Sequence, residues 1–179
     1  MYYYVIQVKT RSEEKFARLL KSVYSDNYFQ IFSPKRTLPV RRRGLLTQST
    51  SPVFPGYLFL QSEEIFPDNF HWRLKAFGEF FRLLKTGQHI KPLSGRSLQI
   101  VLHFIKKIGP LAGLSQVYFN DDSRIVVLSG PLAGLEGNIV KVDKRKKRAK
   151  IKLDIYKDSF LIDLGFELIE PSSKRITAA

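Results

Sequence analysis

The sequence predicts an α+β protein in two parts: an antiparallel sheet with helices on one face, followed by a small five-stranded β-barrel. Two patterns carry this prediction. In the first part, aromatic and β-branched runs typical of strands alternate with segments that have the apolar spacing of a helix. From Arg124 onward, short β-branched runs follow one another at close spacing, and no helical period appears among them.

The first strand and the first helix lie at the start of the chain. Residues 2–8 are rich in tyrosine and β-branched residues, which predicts a strand. Thr10 and Glu13 have the spacing of a capping box, in which Thr10 caps the helix and the Glu13 side chain reaches back to the backbone. Behind them, four apolar residues have the i, i+3, i+4, i+7 spacing of a single apolar stripe: Phe16, Leu19, Leu20 and Val23.

The rest of the first part continues this alternation. Further strands are predicted at residues 27–32, 37–42 and 80–84, and helices at about 68–77 and after Ser94. Residues 51–60 contain a Pro-Gly turn that leads into a strongly β-prone run. Residues 85–91 predict a turn. The resulting order, β-α-β-β-α-β and then a helix, is the ferredoxin-like arrangement, an antiparallel sheet with helices packed on one side. We expect this domain to occupy residues 1–109.

The second part is expected to begin after a linker at residues 110–122, which starts with Pro110 and ends in Asn120-Asp121-Asp122. Five short strands are predicted within residues 123–170, at 125–128, 139–142, 149–155, 160–162 and 166–169. Turns rich in glycine, aspartate and lysine separate them, so a small barrel is predicted here. Residues 171–179 are expected to form a C-terminal tail.

The net charge indicates the class of partner. The 179 residues include 30 Lys and Arg against 16 Asp and Glu, which gives a formal net charge of +14 and a pI of about 10.0. Such an excess favours polyanions: nucleic acid first, an anionic membrane second. The sequence offers the membrane no support, since it has neither a signal peptide nor an apolar run of about 18 residues. We therefore expect a cytoplasmic protein.

The most basic segment lies within the predicted barrel. Seven of the ten residues at 143–152 are Lys or Arg: Lys144, Arg145, Lys146, Lys147, Arg148, Lys150 and Lys152. From Arg148 onward cationic and apolar residues alternate, which predicts a strand with one buried face and cations about 6.6–6.8 Å apart on the other. These seven residues are our candidates for RNA binding. The alternative is that they form a solvated outer face of the barrel.

Catalysis is not expected, because no arrangement of reactive residues appears. His71, His89 and His103 are scattered and lack metal-ligand spacing, and the chain has no cysteine. The carboxylate pair Asp121-Asp122 lies in the predicted linker. The Gly-rich segment 129–138 lacks the Gly-Lys-Ser/Thr ending of a phosphate-binding loop. The sequence therefore predicts a protein that is not an enzyme and needs no cofactor and no metal.

Motifs in both parts resemble one known family. The segment from Arg124 to Glu170 contains the loop Gly-Pro-Leu-Ala-Gly-Leu-Glu-Gly and the strand Asn-Ile-Val-Lys-Val-Asp, and it resembles a KOW domain, an SH3-like barrel. The first part has Tyr-Tyr-Val-Ile at its start and Phe-Pro-Gly-Tyr midway, and it is similar to the NusG N-terminal (NGN) domain. The resemblance covers nearly the whole chain in the right order. It implies a transcription elongation factor that binds the clamp helices of the largest RNA polymerase subunit and suppresses pausing.

The resemblance also implies a polymerase-binding surface in the first domain. Four aromatic residues from separate predicted strands are the candidates: Tyr3, Phe54, Tyr57 and Phe81. We expect them to converge on one apolar depression, because aromatic side chains supply a large contact area at low entropic cost. The alternative is that some of them belong to the core, which we expect of at least one.

Within the NusG family, the chain most resembles the specialised LoaP subgroup. Leu132 and Leu135 stand where general NusG proteins carry aromatic residues that dock a ribosomal protein or Rho, which puts that docking in doubt. The resemblance implies processive antitermination, with the KOW domain binding an RNA hairpin in the leader transcript. The alternative is a general NusG-type or RfaH-like elongation factor that acts without hairpin recognition. RfaH-like refolding of the barrel into helices is disfavoured by its β-branched strands.

A second basic group lies in the first domain. Five of its residues are candidates for contact with DNA of the transcription bubble: Lys9, Arg11, Arg41, Arg42 and Arg43. A solubilising loop is the alternative for them. A structural RNA-binding protein of ribosomal type also remains open as a function, although it leaves the Phe-Pro-Gly-Tyr motif without a role. We expect a monomer.

Overall fold

The computed structural model describes residues 1–24, 28–84 and 89–170. Its strands are β1 (Tyr2–Val8), β2 (Gln30–Phe32), β3 (Lys35–Arg42), β4 (Leu45–Pro52), β5 (Tyr57–Ser62), β6 (Phe80–Leu83), β7 (Leu111–Ala112), β8 (Ser115–Phe119), β9 (Ile125–Ser129), β10 (Ile139–Asp143), β11 (Arg148–Ile155) and β12 (Asp158–Leu168). Its helices are α1 (Glu13–Val23), α2 (Phe70–Lys75) and α3 (Gly95–Leu102), and α3 continues into a π-helical turn, His103–Lys107. The expected tail at 171–179 and residues 85–88 of the expected turn lie outside the described residues.

The first domain is built on a four-stranded sheet in the order β2-β5-β1-β6, with antiparallel neighbours throughout. β1 alternates between the two faces of this sheet. Tyr4, Ile6 and Val8 pack in a buried cluster with Phe16 and Leu20 of α1, which covers one face together with α2. This is the ferredoxin-like arrangement predicted from the sequence. The protein is therefore of the expected α+β class.

Helix α3 differs from the prediction of helices on a single face. Its buried residues Ile100 and Val101 share a cluster with Tyr3 and Val5, which lie on the β1 face opposite α1. The same cluster contains the interior of the barrel. The two domains therefore pack against each other through the uncovered face of the sheet, with α3 between them.

A long hairpin extends from the first domain. Strands β3 and β4 pair from Lys35 opposite Pro52 to Arg42 opposite Leu45. The two residues between them, Arg43 and Gly44, have φ values of 50° and 83°. Two consecutive positive φ angles are typical of a type I′ turn, whose twist matches that of the flanking strands. This turn fixes the exposed arginines at the hairpin tip.

The second domain is a five-stranded barrel-like sheet in the order β10-β11-β12-β8-β9. The alternation predicted for β11 is confirmed, because Ala149, Ile151, Leu153 and Ile155 are all fully buried. Two of the expected boundaries differ. The predicted linker contains β8, whose Val117 is buried in the core, and the last two predicted strands are the single strand β12. The Gly-Pro signal at 109–110 lies just before β7, and the Asn-Asp-Asp signal at 120–122 lies just after β8.

The capping box predicted for α1 is wrong. Ser12 holds the N-cap position, so Glu13 is the first helical residue and cannot reach back as a capping box requires. Arg11 adopts a left-handed conformation with φ of 71°, and this turn places the helix start after Thr10. The Glu13 carboxylate is buried and accepts a hydrogen bond of 2.5 Å from the backbone N–H of Gly56. Glu13 therefore holds the Pro-Gly turn that precedes β5.

We expect Glu13→Ala to lower the free energy of unfolding by about 1–3 kcal/mol, because it leaves the buried Gly56 N–H without its acceptor. Glu14→Ala is the matched control, since Glu14 is an exposed neighbour whose ion pair with Lys35 lies at the surface, and we expect little change from it. Urea unfolding followed by circular dichroism measures both. Equal losses in the two variants would show that the Glu13–Gly56 bond contributes nothing particular.

Candidate functional site

Phe54 lies at the contact between the two domains. Its side chain is 1% exposed, and its ring centroid lies 5.2 Å from Phe59, 5.4 Å from Phe104 and 5.5 Å from Phe160, each in an edge-to-face geometry. Phe59 and Phe104 belong to the first domain, whereas Phe160 belongs to β12 of the barrel. The barrel therefore covers Phe54 with an aromatic side chain of its own.

The other three aromatic candidates differ in exposure. Tyr57 is half-buried with its ring centroid 4.8 Å from that of Phe160, and burial raises the pKa of its phenol. Tyr3 is buried, and its hydroxyl donates to Gln61 Oε1 at 2.8 Å. The ring of Phe81 is 59% exposed and lies outside the buried cluster.

An open depression formed by all four was expected, and the structure differs. Tyr3 and Phe54 are core residues in this arrangement, while Phe160 rests on both Phe54 and Tyr57. Phe81 is not brought to that contact. The reason is a long-range contact with the barrel, which no local sequence pattern signals.

Polar contacts flank Phe160 on β12 and on the turn before it. The Arg82 guanidinium donates to both carboxylate oxygens of Asp158, at 3.1 and 2.8 Å, and to Gln7 at 2.7 Å. The backbone N–H of Tyr156 donates to Ser97 Oγ at 3.1 Å, and the Tyr156 hydroxyl donates to the carbonyl of Lys91 at 3.0 Å. These bonds fix the barrel over the face of the sheet that carries Tyr57.

A second area of contact joins the barrel to β3. The Arg148 guanidinium donates to the Pro39 carbonyl from two nitrogens, at 3.2 and 2.6 Å. Gly165, opposite Arg148 in the barrel sheet, lets β3 come close, because a Cβ there would lie 2.9 Å from Pro39 Cδ and 3.0 Å from the Thr37 carbonyl. Only a residue without a side chain allows this approach.

The loop after β9 docks against the end of α3. Pro131 accepts a hydrogen bond of 2.9 Å from His103 Nε2, and burial is the main cause that lowers the pKa of His103 below its usual value. Leu132 and Leu135 are buried in the cluster that includes the barrel interior. The two leucines of this loop thus face inward.

The basic wall, which we define as residues 144–152, alternates from Arg148 onward as predicted, but several of its cations are occupied. Lys150 pairs with Asp163 on the neighbouring strand at 3.1 Å, and Lys146 lies 4.0 Å from Asp143. Lys144 stands over the ring of Phe119 at 4.0 Å.

The remaining cations of the wall are available to a ligand. In the described part of the chain, no carboxylate lies within ion-pair distance of Arg145, Lys147 or Lys152. Arg145 and Lys152 are exposed, and Lys147 is half-exposed at the end of the β10–β11 turn. Such an array is suited to binding the phosphates of a nucleic acid.

The second basic group is not a single cluster. Arg11 lines a cavity of about 440 Å³ with Lys35 at the base of the hairpin, and Lys9 lies beside it in the chain. Arg41, Arg42 and Arg43 are exposed at the far end of β3, about 20 Å along the strand from Lys35. Any DNA contact of these five residues would therefore involve two separate places.

Sequence reasoning overlooked the residues that join the domains. Phe160, Asp158 and Arg82 form the contact over Tyr57, and Gly165 permits the approach of β3.

Among residues 1–24, 28–84 and 89–170, no three His, Cys, Asp or Glu side chains are grouped as metal ligands would be. Over the same ranges, no helix is long and apolar enough to cross a membrane.

Comparison with known proteins addresses the family. A family model described as "Transcription termination factor nusG" matches residues 1–102. The transcription termination/antitermination protein NusG of Thermus thermophilus is 24% identical over 177 residues, covering 93% of this chain and 96% of that protein. NusG of Escherichia coli K12 is 21% identical over 175 residues, covering 94% of each chain.

A solved structure, described as "Domain interaction in Thermotoga maritima NusG", is 14% identical with a TM-score of 0.45, and covers 92% of this chain and 93% of that one. The family model, by contrast, matches more than half of the chain, including the whole of the sheet that carries Tyr3 and Tyr57. This chain belongs to the NusG family.

Proposed function

We propose that this protein is a cytoplasmic transcription elongation factor that binds RNA polymerase through its first domain and promotes processive antitermination. Its basic barrel binds a hairpin in the leader transcript. The observation that carries the proposal is the NusG-family match over residues 1–102, joined to a barrel whose β11 strand presents cations on one face. NusG-family proteins are not enzymes, in agreement with the absence of catalytic motifs expected from the sequence.

The polymerase contact is assigned to the aromatic residues Tyr3, Phe54, Tyr57 and Phe81, with the clamp helices of the largest polymerase subunit as the partner. Phe160 occupies the surface of Phe54 and Tyr57 when the domains are closed. Polymerase therefore binds after the barrel has moved away from the sheet. The bond between Arg82 and Asp158 opposes this movement only weakly, since surface ion pairs contribute about 0–1 kcal/mol.

The RNA contact is assigned to the basic wall. Arg145, Lys147 and Lys152 neutralise phosphates, with Lys144, Lys146, Arg148 and Lys150 contributing where their present contacts give way. A regular RNA helix has a deep, narrow major groove, so recognition relies on a loop, a bulge or a widened groove. The burial of Leu132 and Leu135 supports RNA rather than a ribosomal protein or Rho as the partner of this barrel.

A general elongation factor without hairpin recognition is the second candidate. The observation that favours it is the pairing of Lys150 with Asp163 and of Lys146 with Asp143, which reduces the charge free to meet RNA. In either case, Arg41, Arg42 and Arg43 at the hairpin tip are the candidates for contact with transcription-bubble DNA, while Lys9 and Arg11 lie apart from them.

Run-off transcription through a terminator, with and without an upstream leader hairpin, tests the function. Read-through that depends on the hairpin is the expected result. Read-through that is equal on both templates would identify the general elongation factor. No effect on either template, together with failure to bind core RNA polymerase, would exclude both candidates.

We expect Phe160→Ser to increase the affinity for core RNA polymerase by about tenfold, because loss of the ring weakens domain closure by on the order of 1–2 kcal/mol. Leu161→Ser is the matched control, since Leu161 is the next residue of β12 and is 63% exposed. Biolayer interferometry measures both affinities. A Phe160→Ser variant that binds no better than wild type would mean that closure does not limit polymerase binding.

We expect RNA binding to weaken with salt at a logarithmic slope of about −3.5 to −4.5, which corresponds to about five neutralised phosphates. The double variant Arg145→Ser/Lys147→Ser should reduce the magnitude of this slope by about 1.4–1.8, since two phosphate contacts are lost. Arg124→Ser, an exposed cation elsewhere in the barrel, is the control. Filter binding provides the slopes, and a wild-type slope near zero would remove RNA contact from the proposal.

A further inference from the structure

A cleft lies between the two domains on the side away from Phe160. Its volume is about 450 Å³, within the range of about 300–1,000 Å³ typical of ligand sites. The hairpin of the first domain and the β10–β11 region of the barrel form its walls. The residues that line it are Pro39, Val40, Arg41, Leu46, Arg145, Lys146 and Arg148.

The cleft exists only while the domains are closed. Pro39, Val40, Arg41 and Leu46 come from β3 and β4, whereas Arg145, Lys146 and Arg148 come from the barrel. The bonds from Arg148 to the Pro39 carbonyl and the close approach at Gly165 hold the two walls together. Neither domain contains the cleft by itself.

The positive charges around the cleft favour the binding of an anion. All four charged residues of its lining are cations, and closure brings Arg41 of the first domain towards three cations of the barrel. Arg41 and Arg145 are exposed, and neither has a carboxylate within ion-pair distance in the described ranges. Arg36 on the same strand β3 is half-buried, and burial is the main cause that lowers its pKa; Asp163 opposes this shift and the charge of Arg148 adds to it. Like charges held this close repel one another, and a bound anion relieves the repulsion.

The apolar residues of the lining indicate what kind of anion the cleft binds. Val40 and Leu46 form an apolar wall with the buried Pro39 beneath it, and the Leu46 side chain is 56% exposed. An apolar wall beside guanidinium groups is suited to a polymer whose phosphates meet the cations while its bases lie on the apolar surface. A cleft of this volume accommodates a single strand and not a duplex, whose major groove alone is about 12 Å wide.

We infer that the interdomain cleft is a composite binding site for single-stranded nucleic acid, with phosphates at Arg41, Arg145 and Lys146 and bases on Val40 and Leu46. The inference rests on the proposed nucleic-acid binding of the barrel and extends it to the first domain. Because the ligand needs both walls, it binds the closed arrangement and stabilises it. By linkage, it must then compete with polymerase, which needs the domains apart.

The test uses the full-length protein and a fluorescein-labelled oligouridine of about 10 nucleotides, within the site size of single-strand binders. Fluorescence anisotropy measures its affinity for five variants. Arg41→Ser removes a cation of the first domain, and Arg145→Ser removes one of the barrel. Gly165→Val and Phe160→Ser separate the domains without any change of charge, and Arg124→Ser is the control.

We expect Arg41→Ser, Arg145→Ser, Gly165→Val and Phe160→Ser each to weaken binding by about fivefold or more, and Arg124→Ser to leave it near the wild-type value. Arg41→Ser should also reduce the salt slope by about 0.7. Phe160 lies outside the cleft lining, so its effect reports closure alone. The Phe160→Ser variant therefore tests the need for closure even if Gly165→Val fails to fold.

The composite site is overturned if Arg41→Ser and Phe160→Ser both bind like wild type while Arg145→Ser binds weakly. In that case nucleic acid occupies the barrel alone, and the proposed function stands. Weak binding by Arg41→Ser with no effect of Arg145→Ser overturns it equally, since the site then belongs to the first domain. Wild-type binding without salt dependence contradicts the proposed nucleic-acid function itself.

Discussion

The contact of Phe160 with Phe54 and Tyr57 is the interaction on which the arrangement of the two domains depends. The polar bonds around it involve groups that water also reaches, so each adds little net stability. The aromatic contact removes apolar surface from water and therefore adds to the free energy of closure. Two of the residues assigned to the polymerase, Phe54 and Tyr57, thus also hold the barrel in place. In the proposed function this aromatic surface has two competing partners, the barrel and the polymerase, and the outcome depends on which of them offers the better contact.

Much of the fold could be predicted because its determinants are local. β1 has the predicted bounds, and the alternation in β11 separates buried from cationic residues as expected. The failures occurred where neighbouring residues do not decide the structure. A left-handed Arg11 moved the start of α1, and pairing with β12 and β9 recruited residues 115–119 from the predicted linker into the barrel. Positive φ at a non-glycine residue and parallel strand pairing have no strong local signature.

In the candidate site, too, local features could be predicted from the sequence and long-range contacts could not. Charge and alternation located the basic wall, since both are properties of a single strand. Its internal pairing could not be predicted, because Asp163 reaches Lys150 from the neighbouring strand and Pro39 lies 109 residues from Arg148. The aromatic candidates were selected by resemblance to the NusG N-terminal domain. That resemblance selected Phe54 and Tyr57 as candidates but carried no information about Phe160. In the sequence, Phe160 has the pattern of an ordinary strand residue.

The short passage from β7 to β8 limits how far the barrel can travel. β7 pairs with β3 of the first domain, β8 belongs to the barrel, and only Gly113 and Leu114 lie between them. Three backbone steps span about 10 Å, so a released barrel stays beside its docking face unless β7 also detaches. Its local concentration there remains high, and rebinding is intramolecular. A competitor must therefore capture the first domain during brief openings, or dissolve β7 and lengthen the tether.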